Sequence, residues 1–187
     1  ELQVLLPLIE SRQEQAHDRV RSMLHSTAWA AALAEWERLH VRGLKSRAAT
    51  APATETTAAK FLRARERAFS RGAETDWHKL RIATKNLRYA LDELRATGNE
   101  ESEVLAARKL CKKLQTDLGD WHDTVVHRTL LLSLRPAGGD GTTAQSIARL
   151  ETQLMQRGES CRQQAVVRIL RGQAALDKLA SGGMAGN

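Results

Sequence analysis

Residues 78–90 read HKLRIATKNLRYA, and this stretch of sequence decides the predicted fold. Four apolar residues recur in it at intervals of three and four, as they do on one face of an α-helix: Leu80, Ala83, Leu87 and Ala90. Four basic residues recur with similar spacing and fall within about 80° of one another: His78, Arg81, Lys85 and Arg88. We therefore predict a helix that packs on a core with one side and presents a line of cations on another.

The basic line contains no acidic residue between His78 and Arg88. A solvated helix face usually mixes charges, with acids at i,i+4 from bases. A phosphate polymer lying along the line would meet about one cation per turn, with Arg holding phosphate oxygens in its planar fork and Lys acting as a point charge. His78 can add a hydrogen bond, or it can simply cap or pack the helix.

Positive charge is concentrated around this helix. The chain has 29 Lys and Arg against 22 Asp and Glu, and residues 60–88 alone hold nine bases and three acids. On the preceding helix, Lys60, Arg63 and Arg67 share one face. Such an excess favours a polyanionic partner, either nucleic acid, an acidic membrane surface or polyphosphate, although a soluble basic protein without such a partner is the alternative.

A later segment repeats the pattern. One side of the helix expected at 101–134 carries polar and basic residues: Lys109, Lys112, Thr116, Asp123 and His127, with Lys113 near the edge. Another side is apolar: Leu110, Leu114, Leu118, Trp121 and Val125. If this helix and the helix around His78 are antiparallel neighbours, their basic faces can converge on one groove.

The rest of the chain favours an all-α fold, an antiparallel bundle of about six helices. Strand patterns are nearly absent, and helices are expected at about 4–24, 27–43, 57–71, 76–97, 101–134 and 144–180, with stops at Gly72 and Gly98. Ser26 or Thr27 is the expected cap of the second helix, and Thr75 or Asp76 that of the fourth. Gly119 lies inside the fifth and predicts close packing or a kink.

The predicted helices and loops divide the chain into four segments. They are an N-terminal helical hairpin at 1–45, a loop at 46–57, a helical bundle at 58–180 and a disordered tail at 181–187.

Several kinds of site are excluded by composition. Cys111 and Cys161 stand far apart without a metal-binding pattern, so we expect two reduced buried thiols, no metal and no cofactor. No segment has the length and hydropathy of a membrane span. Aromatic residues make up 4% of the chain, too few for the stacking platforms of single-strand binders. The four Trp are predicted core residues: Trp29, Trp36, Trp77 and Trp121.

Two motifs together resemble the CHAD family, the conserved-histidine α-helical domain. The first is residues 78–90, and the second is residues 112–123, KKLQTDLGDWHD. The resemblance implies a helical fold of two pseudo-symmetric lobes around a basic groove that binds inorganic polyphosphate, here represented by the second lobe. The family's first lobe carries a similar His/Arg helix, which does not precede Leu2, so we expect the C-terminal part of such a domain.

The resemblance also implies the site residues. It places the family's basic lining on His78, Arg81, Lys85, Arg88, Lys112 and Lys113, and the helical wheels add Arg12, Arg19, Arg63, Arg67 and Lys109. The expected partner is polyphosphate, with phosphate or sulfate able to take its place in a crystal, and the expected location is the cytoplasm, at polyphosphate granules. Apolar surface left exposed on a partial domain makes a homodimer plausible.

Three other functions remain open at this stage. His122-Asp123 is similar to the metal-dependent phosphohydrolase pair, but a metal site needs further converging ligands, so we expect no enzyme. The same cations would attract nucleic acid nonspecifically, and no groove-reading motif supports more. A purely structural interaction bundle is the third.

Overall fold

The computed structural model describes residues 2–41, 54–99, 101–135 and 141–181, and in these ranges it contains six α-helices and no strand. The helices are α1 (Leu2–Leu24), α2 (Thr27–Val41), α3 (Thr54–Arg71), α4 (Glu74–Ala96), α5 (Ser102–Ser133) and α6 (Gly141–Ala180). The predicted all-α fold is therefore confirmed. Four predicted features lie outside the described ranges: the end of the second helix at Gly43, loop residues 46–53, turn residues 136–140 and tail residues 182–187.

The chain forms two compact units, Glu1–Thr50 with Leu130–Leu150, and Ala51–Thr129 with Glu151–Asn187. The first unit contains α1, α2, the end of α5 and the beginning of α6, and it buries Leu5, Leu131, Leu134 and Ile147. Ser26 caps α2 as predicted, because its Oγ accepts a hydrogen bond of 3.1 Å from the Trp29 amide.

The second unit is a four-helix arrangement of α3, α4 and most of α5 and α6. Consecutive helices are antiparallel: Lys178 near the end of α6 bonds Glu103 at the beginning of α5, and Arg128 near the end of α5 bonds Glu74 at the beginning of α4. The core consists of the apolar faces of all four helices, including Phe61, Leu80, Leu87, Leu114, Leu118 and Ile169. This packing turns the remaining faces of α4 and α5 outward.

Besides α1, which begins at Leu2 instead of about residue 4, three helices begin earlier than predicted. α3 begins at Thr54, so residues 54–57 of the predicted loop are helical, with Glu55 in the first turn where the helix dipole favours an acid. α4 begins at Glu74 with Ala73 as N-cap and no side-chain cap, so the predicted caps Thr75 and Asp76 are wrong. The cause is the preceding stop: Gly72 has φ +67° and Ala73 is already extended, so the next helix starts at once. α6 begins at Gly141 instead of Ala144.

The four tryptophans divide into two pairs. Trp77 and Trp121 are buried in the second unit, as predicted, with ring centroids 6.3 Å apart. Trp29 and Trp36 are 38% and 66% exposed, so the core prediction is wrong for them. Both residues lie on α2. The spacing of apolar residues identifies the faces of this helix, but it does not show how little of its surface the described residues cover.

Gly119 does not serve close packing. No atom lies within 4 Å of the position that its Cβ would take. The close approaches occur instead at two glycines of α6: Gly158, where a Cβ would lie 2.6 Å from Thr124 Oγ1, and Gly172, where it would meet Leu110. Close packing at a helical glycine therefore occurs in α6 and not at Gly119, and the alternative, a kink at Gly119, stays a prediction.

This contrast makes a testable prediction. Gly119→Ala should raise the free energy of unfolding by about 0.5–1 kcal/mol, because alanine loses less backbone entropy in a helix. Gly158→Ala should lower it by about 1–3 kcal/mol, because the buried Thr124 side chain must move. Urea denaturation followed by circular dichroism measures both, and a lower midpoint for Gly119→Ala would show that the space beside it is needed for folding.

Candidate functional site

α4 and α5 pack side by side in antiparallel directions. At one end of this seam the rings of His78 and His122 lie with centroids 5.2 Å apart. At the other end Asp92 of α4 accepts a hydrogen bond of 2.5 Å from Arg108 Nε of α5. The predicted neighbour relation of the two helices is thus present in the structure. We call this line of contact, from His78 and His122 to Asp92 and Arg108, the α4–α5 seam.

The predicted cations of α4 lie along the seam. His78 and Lys85 are exposed, whereas Arg81 and Arg88 are half-buried. The positive charge of Arg81 contributes to lowering the pKa of His122, and that of Arg88 acts on the pKa of the Cys111 thiol, so both guanidinium groups lie within electrostatic range of α5. The apolar residues of the same helix, Leu80 and Leu87, are fully buried on the core side.

Arg88 is held in place with part of its binding capacity unused. Its Nε is buried and has no hydrogen-bond partner among the described residues, and the nearest carboxylate oxygen, Asp92 Oδ2, is 3.9 Å away. Its guanidinium lies 5.0 Å from the centre of the Tyr89 ring, and Lys85 Nζ lies 5.7 Å from the same centre. Tyr89 therefore orients two neighbouring cations by cation–π contacts.

Of the α5 residues named from the sequence, Lys109, Lys112 and Lys113 are all exposed. Arg108, Cys111 and His122 mark the side of α5 that faces α4. At about 100° per residue, Lys112 lies beside this side of the helix. Lys109 and Lys113 point further away from it. Lys112 is thus the one of the three that the geometry associates with the cations of α4.

Two seam residues were missed by the sequence reasoning. The basic side assigned to its helix from the sequence does not include His122, yet in the structure its ring contacts that of His78. Arg108 was not singled out, although it lies one turn before Lys112 and faces α4 through Asp92. The sequence contained one signal that could have identified Arg108. An acid late in α4 and a base early in α5 are expected to pair when the two helices are antiparallel neighbours.

Arg63 and Arg67 lie elsewhere. Together with Lys60 and Lys79 they line a cavity of about 170 Å³ between α3 and α4, on the flank of α4 opposite the seam. Arg12 and Arg19 belong to the other compact unit, where Arg12 Nη2 donates a hydrogen bond of 3.1 Å to the Ser133 carbonyl. Arg63 and Arg67 therefore lie outside the seam, and the binding role of all four residues stays a prediction.

Carboxylates of the second unit bind cations of neighbouring helices. Asp117, which is 5% exposed, pairs with Arg168 of α6, and Glu103 pairs with Lys178 at 2.8 Å. Arg128 contacts Glu151 at 3.2 Å and Glu74 at 3.4 Å. These acids connect the helices, and among the described residues Asp92 is the carboxylate that lies within ion-pair distance of a cation in the line from His78 to Arg88.

The titratable groups beside the seam are shifted by burial and by positive charge. Burial, followed by the charges of Arg81 and His78, lowers the pKa of His122 below its ordinary 6.5, while Asp123 acts in the opposite direction. Burial raises the pKa of the Cys111 thiol to about 12, so it is not a nucleophile. The described residues contain no group of three or more His, Cys, Asp or Glu arranged to hold a metal ion.

None of the helices in the described ranges is long and apolar enough to span a bilayer. The α4–α5 seam is a row of cations and imidazoles between two helices. Such a row can bind a chain of negative charges by ion pairing and hydrogen bonding.

Comparison with known proteins agrees with the two motifs. The sequence profile of the CHAD domain matches residues 1–132, which include both motifs and also α1 and α2. Comparisons with curated proteins and with solved structures gave no match. Because the profile covers more than half of the chain and both motifs meet in the α4–α5 seam, this protein belongs to the CHAD domain family.

Proposed function

We propose that this protein binds inorganic polyphosphate along the α4–α5 seam without catalysing a reaction. The observation that carries the proposal is the contact between His78 and His122, which sets the cations of α4 beside α5. The binding residues are His78, Arg81, Lys85 and Arg88 on α4, with Arg108, Lys112 and His122 on α5. The CHAD family is associated with polyphosphate, and that association supports the choice of polyanion.

The chemistry of the seam suits a phosphate chain. Arg81 and Arg88 can donate to phosphate oxygens in pairs, and Lys85 supplies a point charge. The Nε of Arg88 is buried without a hydrogen-bond partner among the described residues, which is unfavourable. A phosphate oxygen could accept a hydrogen bond from this donor. The absence of a metal-ligand group in the described residues and the high pKa of the Cys111 thiol support binding in preference to catalysis.

Nonspecific nucleic-acid binding is the second candidate, and the excess positive charge is the observation that favours it. Of the two exposed aromatic residues on α3 and α4, Phe69 packs near Trp77, and Tyr89 already contacts Lys85 and Arg88. Neither forms a free stacking platform of the kind that single strands require. Competition at physiological salt separates the two candidates: duplex DNA should displace polyphosphate only at a large excess of phosphate groups.

Removing two seam cations tests the proposal directly. Arg81→Gln/Lys85→Gln should weaken polyphosphate binding by about tenfold or more and lower the slope of log affinity against log salt by about 1.4, because two phosphate contacts are lost. Isothermal titration at several salt concentrations measures both quantities. The matched control is Arg157→Gln/Arg171→Gln, which removes two exposed charges from α6. If both double variants weakened polyphosphate binding equally, the loss would be a general effect of charge. If the seam variant left binding unchanged, the proposal would be contradicted.

The shifted imidazole predicts a pH dependence. His122 is largely neutral at neutral pH because its pKa lies below 6.5, and a bound phosphate would favour its charged form. Polyphosphate affinity should therefore increase as pH falls through and below 6.5, and His122→Gln should reduce this increase. The stability of the protein without ligand changes in the opposite direction. Protonation of His122 is unfavourable in the folded state, so the free energy of unfolding decreases as pH falls over the same range. An affinity that does not change between pH 7.5 and 5.5 would contradict a contribution from the charged form of His122.

We extend the proposal to location: binding to polymer would bring the protein to polyphosphate granules in the cytoplasm. A fluorescent fusion should colocalise with granules stained for polyphosphate and become diffuse when Arg81→Gln/Lys85→Gln is introduced. Colocalisation that survives this double substitution would assign granule recruitment to another surface.

A further inference from the structure

A second group of cations lies on the flank of α4 that faces α3. The cavity of about 170 Å³ at this position is lined by Lys60, Arg63 and Arg67 of α3 and by Lys79 of α4. Asp76, which is 5% exposed, is the one carboxylate among the described lining residues, so four positive charges meet one negative charge. We call Lys60, Arg63, Arg67 and Lys79 the α3–α4 cluster.

The α3–α4 cluster is not used to hold the protein together. In the part of the chain that the structure describes, no ion pair engages its four side chains, and all four residues are exposed. The carboxylates of neighbouring helices bind other cations, such as Arg108, Arg128 and Arg168. Four like charges converging on one cavity repel one another, and an anion in the cavity would relieve that repulsion.

The α3–α4 cluster and the α4–α5 seam lie at the same level of the molecule, near the beginning of α4. His78 ends the seam, and the next residue, Lys79, lines the cavity on the opposite flank of the helix. The two sites are separated by one helix, about 10–12 Å across with its side chains. This separation exceeds the screening length of about 8 Å at physiological ionic strength, so the cluster acts mainly on charges placed next to it.

We propose that the α3–α4 cluster is a second phosphate-binding site, which polyphosphate occupies only when its chain is long enough to extend beyond His78 and across α4. The inference rests on the proposed function of the seam. A short oligophosphate binds in the seam alone, whereas a long chain binds in the seam and the cluster together. The protein therefore selects long chains over short ones by adding contacts and not by excluding the short chain.

The test compares two probes, tripolyphosphate and long-chain polyphosphate, at physiological salt. Arg63→Gln/Arg67→Gln should weaken long-chain binding by about fivefold or more and lower its salt slope by about one to two. The same variant should bind tripolyphosphate as the unmodified protein does. Arg81→Gln/Lys85→Gln should weaken both probes, and Arg157→Gln/Arg171→Gln should change neither by more than about twofold. Circular dichroism and thermal melting establish that each variant is folded, which is expected because the substituted arginines of the cluster are exposed.

Each outcome decides between the alternatives. Equal loss of tripolyphosphate and long-chain binding in Arg63→Gln/Arg67→Gln would show that the cluster contributes only to the general field, and unchanged long-chain binding would show that it contributes nothing. Either result would overturn the second site while leaving the seam intact. If the unmodified protein bound neither probe, the proposed function itself would fail, and this failure is distinguishable because it appears before any substitution is made.

Discussion

The antiparallel packing of α4 against α5 is the constraint on which the candidate site depends. Leu80 and Leu87 of α4 and Leu114 and Leu118 of α5 are fully buried, so each helix can rotate little about its own axis. A shift of one residue would turn each side chain by about 100° and move cations into the core. The buried leucines therefore determine the line that Arg81, Lys85 and Arg88 occupy.

The distribution of carboxylates is the second determinant of the site. Asp117 pairs with Arg168, Glu103 with Lys178, and Glu74 and Glu151 with Arg128, so acids act as ties between helices. A net charge of +7 spread evenly would give only a weak field. Because acids of the second unit pair with these helix-tying bases, the remaining bases form locally strong clusters on α3 and α4. Most bases of the structural ion pairs are thus different from the residues proposed to bind polyphosphate, although Arg88 and Arg108, which contact Asp92, belong to both groups.

The sequence was sufficient for properties that belong to a single helix. The apolar and basic faces of α4, the stops at Gly72 and Gly98, and the cap at Ser26 follow from spacing and local backbone chemistry, and all are present. Properties that depend on a neighbouring helix were less accessible. A helical wheel gives angles about one axis, so it placed His122 away from the site and left Arg108 unnoticed. It also could not tell that Trp29 and Trp36 are exposed, or that Gly119 faces open space.

The position of α6 has a consequence for how the domain should be delimited. The family profile ends at residue 132, yet Ala165, Ile169, Leu176 and Leu179 of α6 belong to the same buried core as the leucines of α4 and α5. Gly158 and Gly172 let this helix approach α5 closely at two levels. The segment that matches the family profile and the segment that forms the buried core are therefore different. A chain cut at the family boundary would keep every residue of the basic seam and lose the helix that makes the seam rigid.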